Sequence, residues 1–465
     1  MDQLTELVSA VNSVLWGPYC LIPLLVGAGI YFTLRLRLVQ IRRFARAWDY
    51  VFGNIKFFGD KADHNGMSSF QSLATAVAAQ VGTGNLAGVA TAIAMGGPGA
   101  IFWMWIAAFF GMATISVEAV LAQLYRRTGP DGHVCGGPAF YITYGLKCKP
   151  LAVFFSVMII LALGFIGNMV QANSIAGAFD IAFGVPAWLS GVVMALIAGF
   201  IFIGGISRIA STTEKLVPIM ALFYLIGGGF VLVCYSDQII PAFHSIFVGA
   251  FDPSAATGGV IGASVKEAIR YGVARGLFSN EAGMGSTPHA HALAKVKYPA
   301  QQGLVAMMGV FLDTFVVLNV TAFVILTTGV LDGKTNGIAL TQAAFQTGMG
   351  YFGIAFVAVC LFFFAFSTII SWYFFALQNV KFLFGTKAER PYQLGVIAFV
   401  FLGAFLHVNL VWELADLFNG LMVIPNLIAL IGLFKYAAAA IEKYDNDWKM
   451  ANWGSLERPG KSAKK

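Results

Sequence analysis

Gly82-Thr83-Gly84-Asn85 stands inside a stretch, His64 to Val117, that contains no Lys, Arg, Asp or Glu. Such a stretch belongs in a bilayer, where every backbone N–H and C=O must find a partner and irregular backbone survives only where it lines a cavity or site. Gly82 and Gly84 lack the Cβ that would keep a ligand from the backbone. A helix broken at mid-membrane presents N–H groups at one half-helix end and carbonyls at the other. The first suits a carboxylate and the second a small cation. The chemistry this predicts is the carriage of an anionic or zwitterionic solute together with an ion.

A second interruption follows five spans later, Arg275-Gly276-Leu277-Phe278-Ser279-Asn280-Glu281-Ala282-Gly283-Met284-Gly285. Two Gly-interrupted helices in matching positions of inverted halves point to a transporter site between them. Arg275 and Glu281 are charges at membrane depth, functional by default. Six residues apart, they face different ways along a helix unless the chain unwinds between them, and three readings stand: gate ion pairs to other helices, with residues such as Glu118 or Asp313, direct contact with the solute, or packing. Lys266, Glu267 and Arg270 read as a solvated mouth. Asn168 and Gln171, at i and i+3, share a helix face with Asn173 nearby. Gln171 is the preferred solute ligand, because an amide meets either end of a zwitterion. Ser367-Thr368 and Ser371-Trp372 interrupt an apolar run. The hydroxyls can complete an oxygen cage for Na⁺ begun by freed carbonyls, and Trp372 can wall the pocket. His289 and His291 follow Pro288 on an expected loop, with no Cys or acidic neighbour to make a metal set.

These residues need membrane helices to position them. Of 465 residues, 58% are hydrophobic and only 11% charged, with mean hydropathy +0.77. Soluble domains carry about twice that charge. Eleven spans are expected, at 14–35, 69–96, 99–125, 150–179, 185–205, 216–236, 260–285, 302–330, 350–384, 392–409 and 412–436. With the N-terminus outside, 25 of the 29 Lys and Arg fall on cytoplasmic segments, which fixes the expected orientation as N-out and C-in. The net charge of +7 then reflects loops facing anionic lipid rather than nucleic acid. Segment 36–61 reads as an amphipathic helix on the cytoplasmic leaflet, and the tail after Lys443 as disordered. Cys20, Cys135, Cys148, Cys234 and Cys360 are scattered and read as small apolar residues. There is no basic n-region at the start of the chain, so no cleaved leader is expected. No nucleophile–base pair, metal triad or P-loop supports an enzyme or an ATP-driven pump. A channel is the remaining rival, and inverted halves argue against it.

The runs Ser68-Ser69-Phe70-Gln71-Ser72-Leu73, Val81 to Ala90 (VGTGNLAGVA), Gly96 to Trp105 (GGPGAIFWMW), Gly136-Gly137-Pro138-Ala139-Phe140-Tyr141 and Leu277 to Pro288 (LFSNEAGMGSTP) together resemble the alanine or glycine:cation symporter family, over about residues 14–440. The resemblance implies an all-α polytopic protein of LeuT type: an inverted five-helix repeat with two broken helices, plus one extra N-terminal helix. Residues 1–66 would hold that helix and the amphipathic segment, 67–236 and 258–440 the two repeats, and 441–465 a cytoplasmic tail. It implies uptake of small neutral amino acids, alanine or glycine, across a prokaryotic plasma membrane. Coupling would be to Na⁺, occasionally H⁺, with glutamine or D-alanine as alternative solutes and no obligate protein partner. Carried over by motif, Thr83 and Gly84 would offer N–H groups to the solute carboxylate, and Phe278 and Trp372 would wall its side chain. Ala78 and Val81 carbonyls with Ser367 and Thr368 would hold one Na⁺, and Asn85 would serve a second ion.

A second charge on the solute would be desolvated without a partner, at a cost on the order of several kcal/mol. Unlabelled alanine, glycine and serine should therefore compete with labelled alanine for uptake, while glutamate and lysine should not. Strong competition by glutamate would place a cation at the site and end the small-neutral reading.

Overall fold

The computed structural model describes residues 2–17, 19–53, 66–129, 132–252, 264–406 and 408–456. The chain folds into helices named here in order: α1 (Asp2–Leu15), α2 (Leu21–Arg35), α3 (Phe44–Phe52), α4 (Ser69–Gln80), α5 (Gly84–Gly96), α6 (Gly99–Tyr125), α7 (Lys149–Phe183), α8 (Ala187–Ile203), α9 (Gly205–Cys234), α10 (Ile239–Phe251), α11 (Val265–Asn280), α12 (Pro288–Ala292), α13 (Pro299–Thr328), α14 (Gly337–Met349), α15 (Tyr351–Phe384), α16 (Glu389–Gly403) and α17 (Val408–Leu456). Among the described residues, every expected span coincides with a helix or a broken pair. By length and composition six helices can cross a membrane, or seven when α4 and α5, bent by 45°, count as one span. α2 and α8 are apolar but shorter.

Both broken spans begin in the same way. Ser68 accepts from Gln71 N–H at 3.1 Å while Gln71 Oε1 accepts from Ser68 N–H at 3.1 Å. Ser264 and Glu267 repeat this reciprocal cap at the start of α11. Each pair satisfies N–H groups that a helix start leaves open. α4 packs among α9, α13 and α15, while α11 packs against α5 and α6. The breaks are therefore held at the centre, with α7 and α15 packed together alongside.

Several local expectations are corrected. The first span is preceded by its own helix: α1 ends at Leu15 and α2 begins at Leu21. Residues 206–215, expected as a loop, are the first turns of α9. α10, α14 and a two-stranded hairpin pairing Arg127 with Cys135 and Thr128 with Val134 were not foreseen. α17 continues in one helix to Leu456, so the residues after Lys443 are helical that far, and Lys461, Lys464 and Lys465 lie outside the described residues. So do the starts expected at 258 and 260, His64, His407, and the segment with Lys56. The rest of the amphipathic segment forms α3 after a turn in which Arg37 and Leu38 take φ of 54° and 56°.

α3 and the far end of α17 are joined by charge. Asp445 accepts from Arg43, buried at 5% exposure, and from Arg46 at 3.0 Å, and the Arg46 guanidinium lies 3.7 Å from the Trp448 ring centroid. Asp445→Ala leaves the Arg43 guanidinium buried without its acceptor, a loss of about 1–3 kcal/mol. The variant should melt several degrees lower in detergent and release α17 to limited proteolysis near residue 445. Unchanged melting would mean that the α3–α17 contact contributes little.

Candidate functional site

α4 stops at Gln80, and the chain turns through Val81 (φ −81°, ψ 84°) before α5 begins at Gly84. The turn leaves the last carbonyls of α4 open, and α15 answers them. Thr368 Oγ1 donates to Ala78 O at 2.9 Å and lies 3.3 Å from Ala79 O; Ser367 Oγ lies 3.2 Å from Ala78 O. Both hydroxyls also reach Phe364 O, one turn back on their own helix. Gly82 is needed here for space, since a Cβ would run into the Thr368 hydroxyl. Two hydroxyls and a freed carbonyl thus converge at one point. Val81 itself commits its N–H to Val77 O at 2.7 Å.

The amides on the other side of the break are partly committed. Gln171 Oε1, on α7, accepts from Thr83 N–H at 3.2 Å and from the Thr83 hydroxyl at 2.5 Å. Asn85 Oδ1 accepts from Gly82 N–H at 3.0 Å. Gly84 serves helix packing: an added Cβ would meet Ser279 Cα at 3.0 Å and Cβ at 3.1 Å. A Leu at 84 would therefore push α11 away, whatever it does to a ligand.

α11 ends at Asn280, and Glu281 takes φ 58°, with Gly283 and Gly285 at 95° and 81°. The two breaks are tied directly, because Gln80 Nε2 donates to Asn280 O at 2.7 Å. Glu118 on α6, which is fully buried, accepts from Gly283 N–H at 3.3 Å, Gly285 N–H at 3.1 Å and Asn426 Nδ2 on α17. Its carboxylate fills the amide-rich end of the second break. Glu281 accepts from Ser286 Oγ and from the Trp372 indole N–H. Asp313, in a wide-turned stretch of α13 (Phe311–Leu318), accepts from Asn85 Nδ2 at 2.7 Å, Ser279 Oγ at 3.0 and 3.1 Å, and Thr314 Oγ1 at 2.9 Å.

The expected ion pairs are overturned. Arg275 pairs with neither Glu118 nor Asp313. It makes a two-pronged bond with Asp416 on α17, at 3.0 and 2.6 Å, and its guanidinium lies 5.2 Å from the Trp412 ring centroid. Phe278 stands edge-on to Trp372 with centroids 5.8 Å apart and meets Trp412 at 5.5 Å. Trp372 fits against Gly167, where a side chain would collide with its ring. Thr83, Gln171, Phe278 and Trp372 are each no more than 5% exposed. An open vestibule of about 740 Å³, lined by Ala87, Asn173, Arg270, Arg275, Trp412 and Asp416 among others, stops short of them. Of Lys266, Glu267 and Arg270, expected at a mouth, Arg270 lines this vestibule.

His289 and His291 do not lie on an exposed loop. Both are buried on α12, His289 between Ser286 O (2.6 Å) and Asn379 (2.8 Å), His291 against Gln302 (2.7 Å). Among the described residues no cluster of three or more His, Cys, Asp or Glu could hold a metal. Sequence reading missed Gln80, Asn280, Glu118 as an amide acceptor, and Asp416. The one available signal was position: Gln80 and Asn280 each end the first half of a broken span.

Residues 1–455 match the model of the sodium:alanine symporter family. The chain belongs to that family. It is a multi-pass membrane transporter that couples amino-acid movement to a cation. It is 45% identical over 434 residues to the sodium/alanine symporter AgcS of Methanococcus maripaludis, covering 92% of this chain and 94% of that one. It is 40% identical over 454 residues to a protein of Bacillus subtilis named a probable sodium/glutamine symporter, GlnT, covering 97% and 92%. A manganese transporter of Eremococcus coleocola, whose crystal structure is that of a point mutant, shares the fold at TM-score 0.54 and 13% identity, over 85% of this chain and 88% of that one.

Glu118 carries a prediction for the symporter. Glu118→Ala leaves two backbone amides and the Asn426 amide buried without their acceptor, each at about 1–3 kcal/mol. The purified variant should melt markedly lower in detergent and lose transport. A wild-type melting temperature would show that Glu118 does not hold the second break together.

Proposed function

We propose that the protein imports small neutral amino acids, alanine and glycine, together with Na⁺ by alternating access. The membrane is the prokaryotic plasma membrane, with the N-terminus outside and the C-terminus in the cytoplasm. The observation that carries this reading is the convergence of Ser367 and Thr368 on Ala78 O across the first break. Oxygen donors of this kind suit a hard cation. Together with Val81 O, the atoms Ala78 O, Ser367 Oγ and Thr368 Oγ1 would hold Na⁺ and link α4 to α15.

The solute docks on the other side of the break. Its carboxylate takes the Gly84 and Thr83 amides, Gln171 giving up its bond to Thr83. Asn168 Oδ1, buried without a hydrogen-bond partner and one turn from Gln171, accepts from the ammonium group. Phe278 and Trp372 close on the side chain, and their edge-on contact favours a small one. Asn85, with Asp313, Ser279 and Thr314, serves a second ion. Coupling to H⁺ has one observation behind it: Asp313 is a fully buried carboxylate whose partners Asn85, Ser279 and Thr314 are all neutral. The likeness to GlnT keeps glutamine as a rival solute, and D-alanine is the other. The Arg275–Asp416 pair closes the outer path between the vestibule and the aromatic pocket, with Trp412 as its roof.

Thr368→Ala removes one hydroxyl from the cation site. The Na⁺ concentration for half-maximal alanine uptake should rise about tenfold or more, as befits a charge-assisted contact, with the order of solute preference kept. An unchanged Na⁺ dependence in Ser367→Ala, Thr368→Ala and the double variant would move the ion elsewhere.

A further inference from the structure

Helix α1 contributes no residue to the solute or ion site, yet it and Trp16, the residue just past its end, grip the first turns of α17 at two points. Asn12 Nδ2 donates to the backbone carbonyl of Glu413 at 2.8 Å and to its carboxylate at 2.6 Å. One turn on, Trp16 Nε1 donates to the backbone carbonyl of Asp416 at 3.1 Å. Leu15 packs over Gly420, where an added Cβ would approach Leu15 Cδ2 to 2.6 Å. Asn12 and Trp16 are buried at 2% and 4% exposure.

The gripped turns are the ones that close the outer path. They carry Trp412, which touches Phe278 and lies under Arg275, and Asp416, which takes both prongs of Arg275. A two-pronged guanidinium–carboxylate bond demands a particular orientation of the carboxylate. Extra donors on the carbonyls of residues 413 and 416 fix the rotation of α17 about its own axis, and so fix where the Asp416 side chain points. The contacts lie on the wall of the vestibule, which α1 also lines through Thr5, Glu6 and Ser9.

We propose that Asn12 and Trp16 are positioning residues of the gate. Helix α1 holds the first turns of α17 in the orientation in which Asp416 meets Arg275, and so biases the transporter towards the closed outer path. This rests on the reading of Arg275–Asp416 as that gate. The N-terminal helix α1 is then a regulator of access rather than a passive addition to the bundle. Each bond, at the strength of a typical internal hydrogen bond, shifts the open–closed equilibrium about 2- to 10-fold.

The test reads access to the pocket. In full-length protein with the five native cysteines replaced by serine, Phe278→Cys is labelled in proteoliposomes by a membrane-impermeant thiol reagent. Trp16→Phe, which keeps the ring bulk and loses the N–H, and Asn12→Ala should each speed labelling about 2- to 10-fold. Asp416→Asn should speed it at least as much, and adding Trp16→Phe to Asp416→Asn should change nothing further. The Na⁺ concentration for half-maximal uptake, measured with Phe278 intact, should not rise in Trp16→Phe, because a larger open fraction favours capture of the ion. If Asp416→Asn leaves labelling unchanged, the gate itself is wrongly placed. If Asp416→Asn speeds labelling while Trp16→Phe and Asn12→Ala do not, or if the effects of Trp16→Phe and Asp416→Asn multiply, α1 does not act through Asp416 and this proposal falls alone.

Discussion

A backbone N–H or C=O left unpaired in hydrocarbon costs several kcal/mol, and this structure breaks two helices at membrane depth. The rest of the architecture follows from that constraint. The carbonyls freed at Ala78 and Ala79 meet hydroxyls from α15. Gly82 N–H finds Asn85, Thr83 N–H finds Gln171, and Gly283 and Gly285 find Glu118. Each partner from another helix must then stay close, so the same bonds that satisfy the breaks also assemble the bundle around them.

The partners differ in how firmly they hold. Glu118 is fixed by two backbone amides and Asn426, so the second break is filled by the protein's own side chain. The first break is closed by neutral groups, two hydroxyls and two amide oxygens. Neutral partners are the ones a cation and a carboxylate can displace, because a charge-assisted bond is roughly twice as strong. On the proposed reading the two breaks have separate duties: the first binds cargo, and the second is held together by Glu118. Gln80 on Asn280 links them, so a change at one is felt at the other.

The sequence exposed what depends on local composition. Arg275 to Gly285 announced the second break by its glycines beside charges at membrane depth, and Gly82 to Asn85 the first, because glycines and polar residues in an uncharged apolar run have few other uses. Ser367 and Thr368 announced themselves for the same reason, and the structure brings them to Ala78. What stayed hidden was pairing across the chain. Nothing near Arg275 points to Asp416, 141 residues away, and Glu118 and Asp313 looked like natural cation partners until backbone and side-chain donors claimed them. His289 and His291 followed Pro288 and read as loop, yet amides on α13 and α15 let them be buried. The end of α17 read as polar tail because its anchor, Asp445 on Arg43 and Arg46, lies in a different charged segment. Gly84 has a packing duty that its local sequence did not show: its missing Cβ makes room for Ser279.

The central claim is that a cation at the Ala78–Ser367–Thr368 point prepares the first break to receive an amino acid. Counterflow of labelled alanine in proteoliposomes, with Na⁺ and with choline replacing it at the same pH, tests this most directly. The account predicts saturable exchange with Na⁺, and its loss in choline and in the Ser367→Ala/Thr368→Ala double variant. Equal exchange in choline, or wild-type Na⁺ dependence in the double variant, would contradict it.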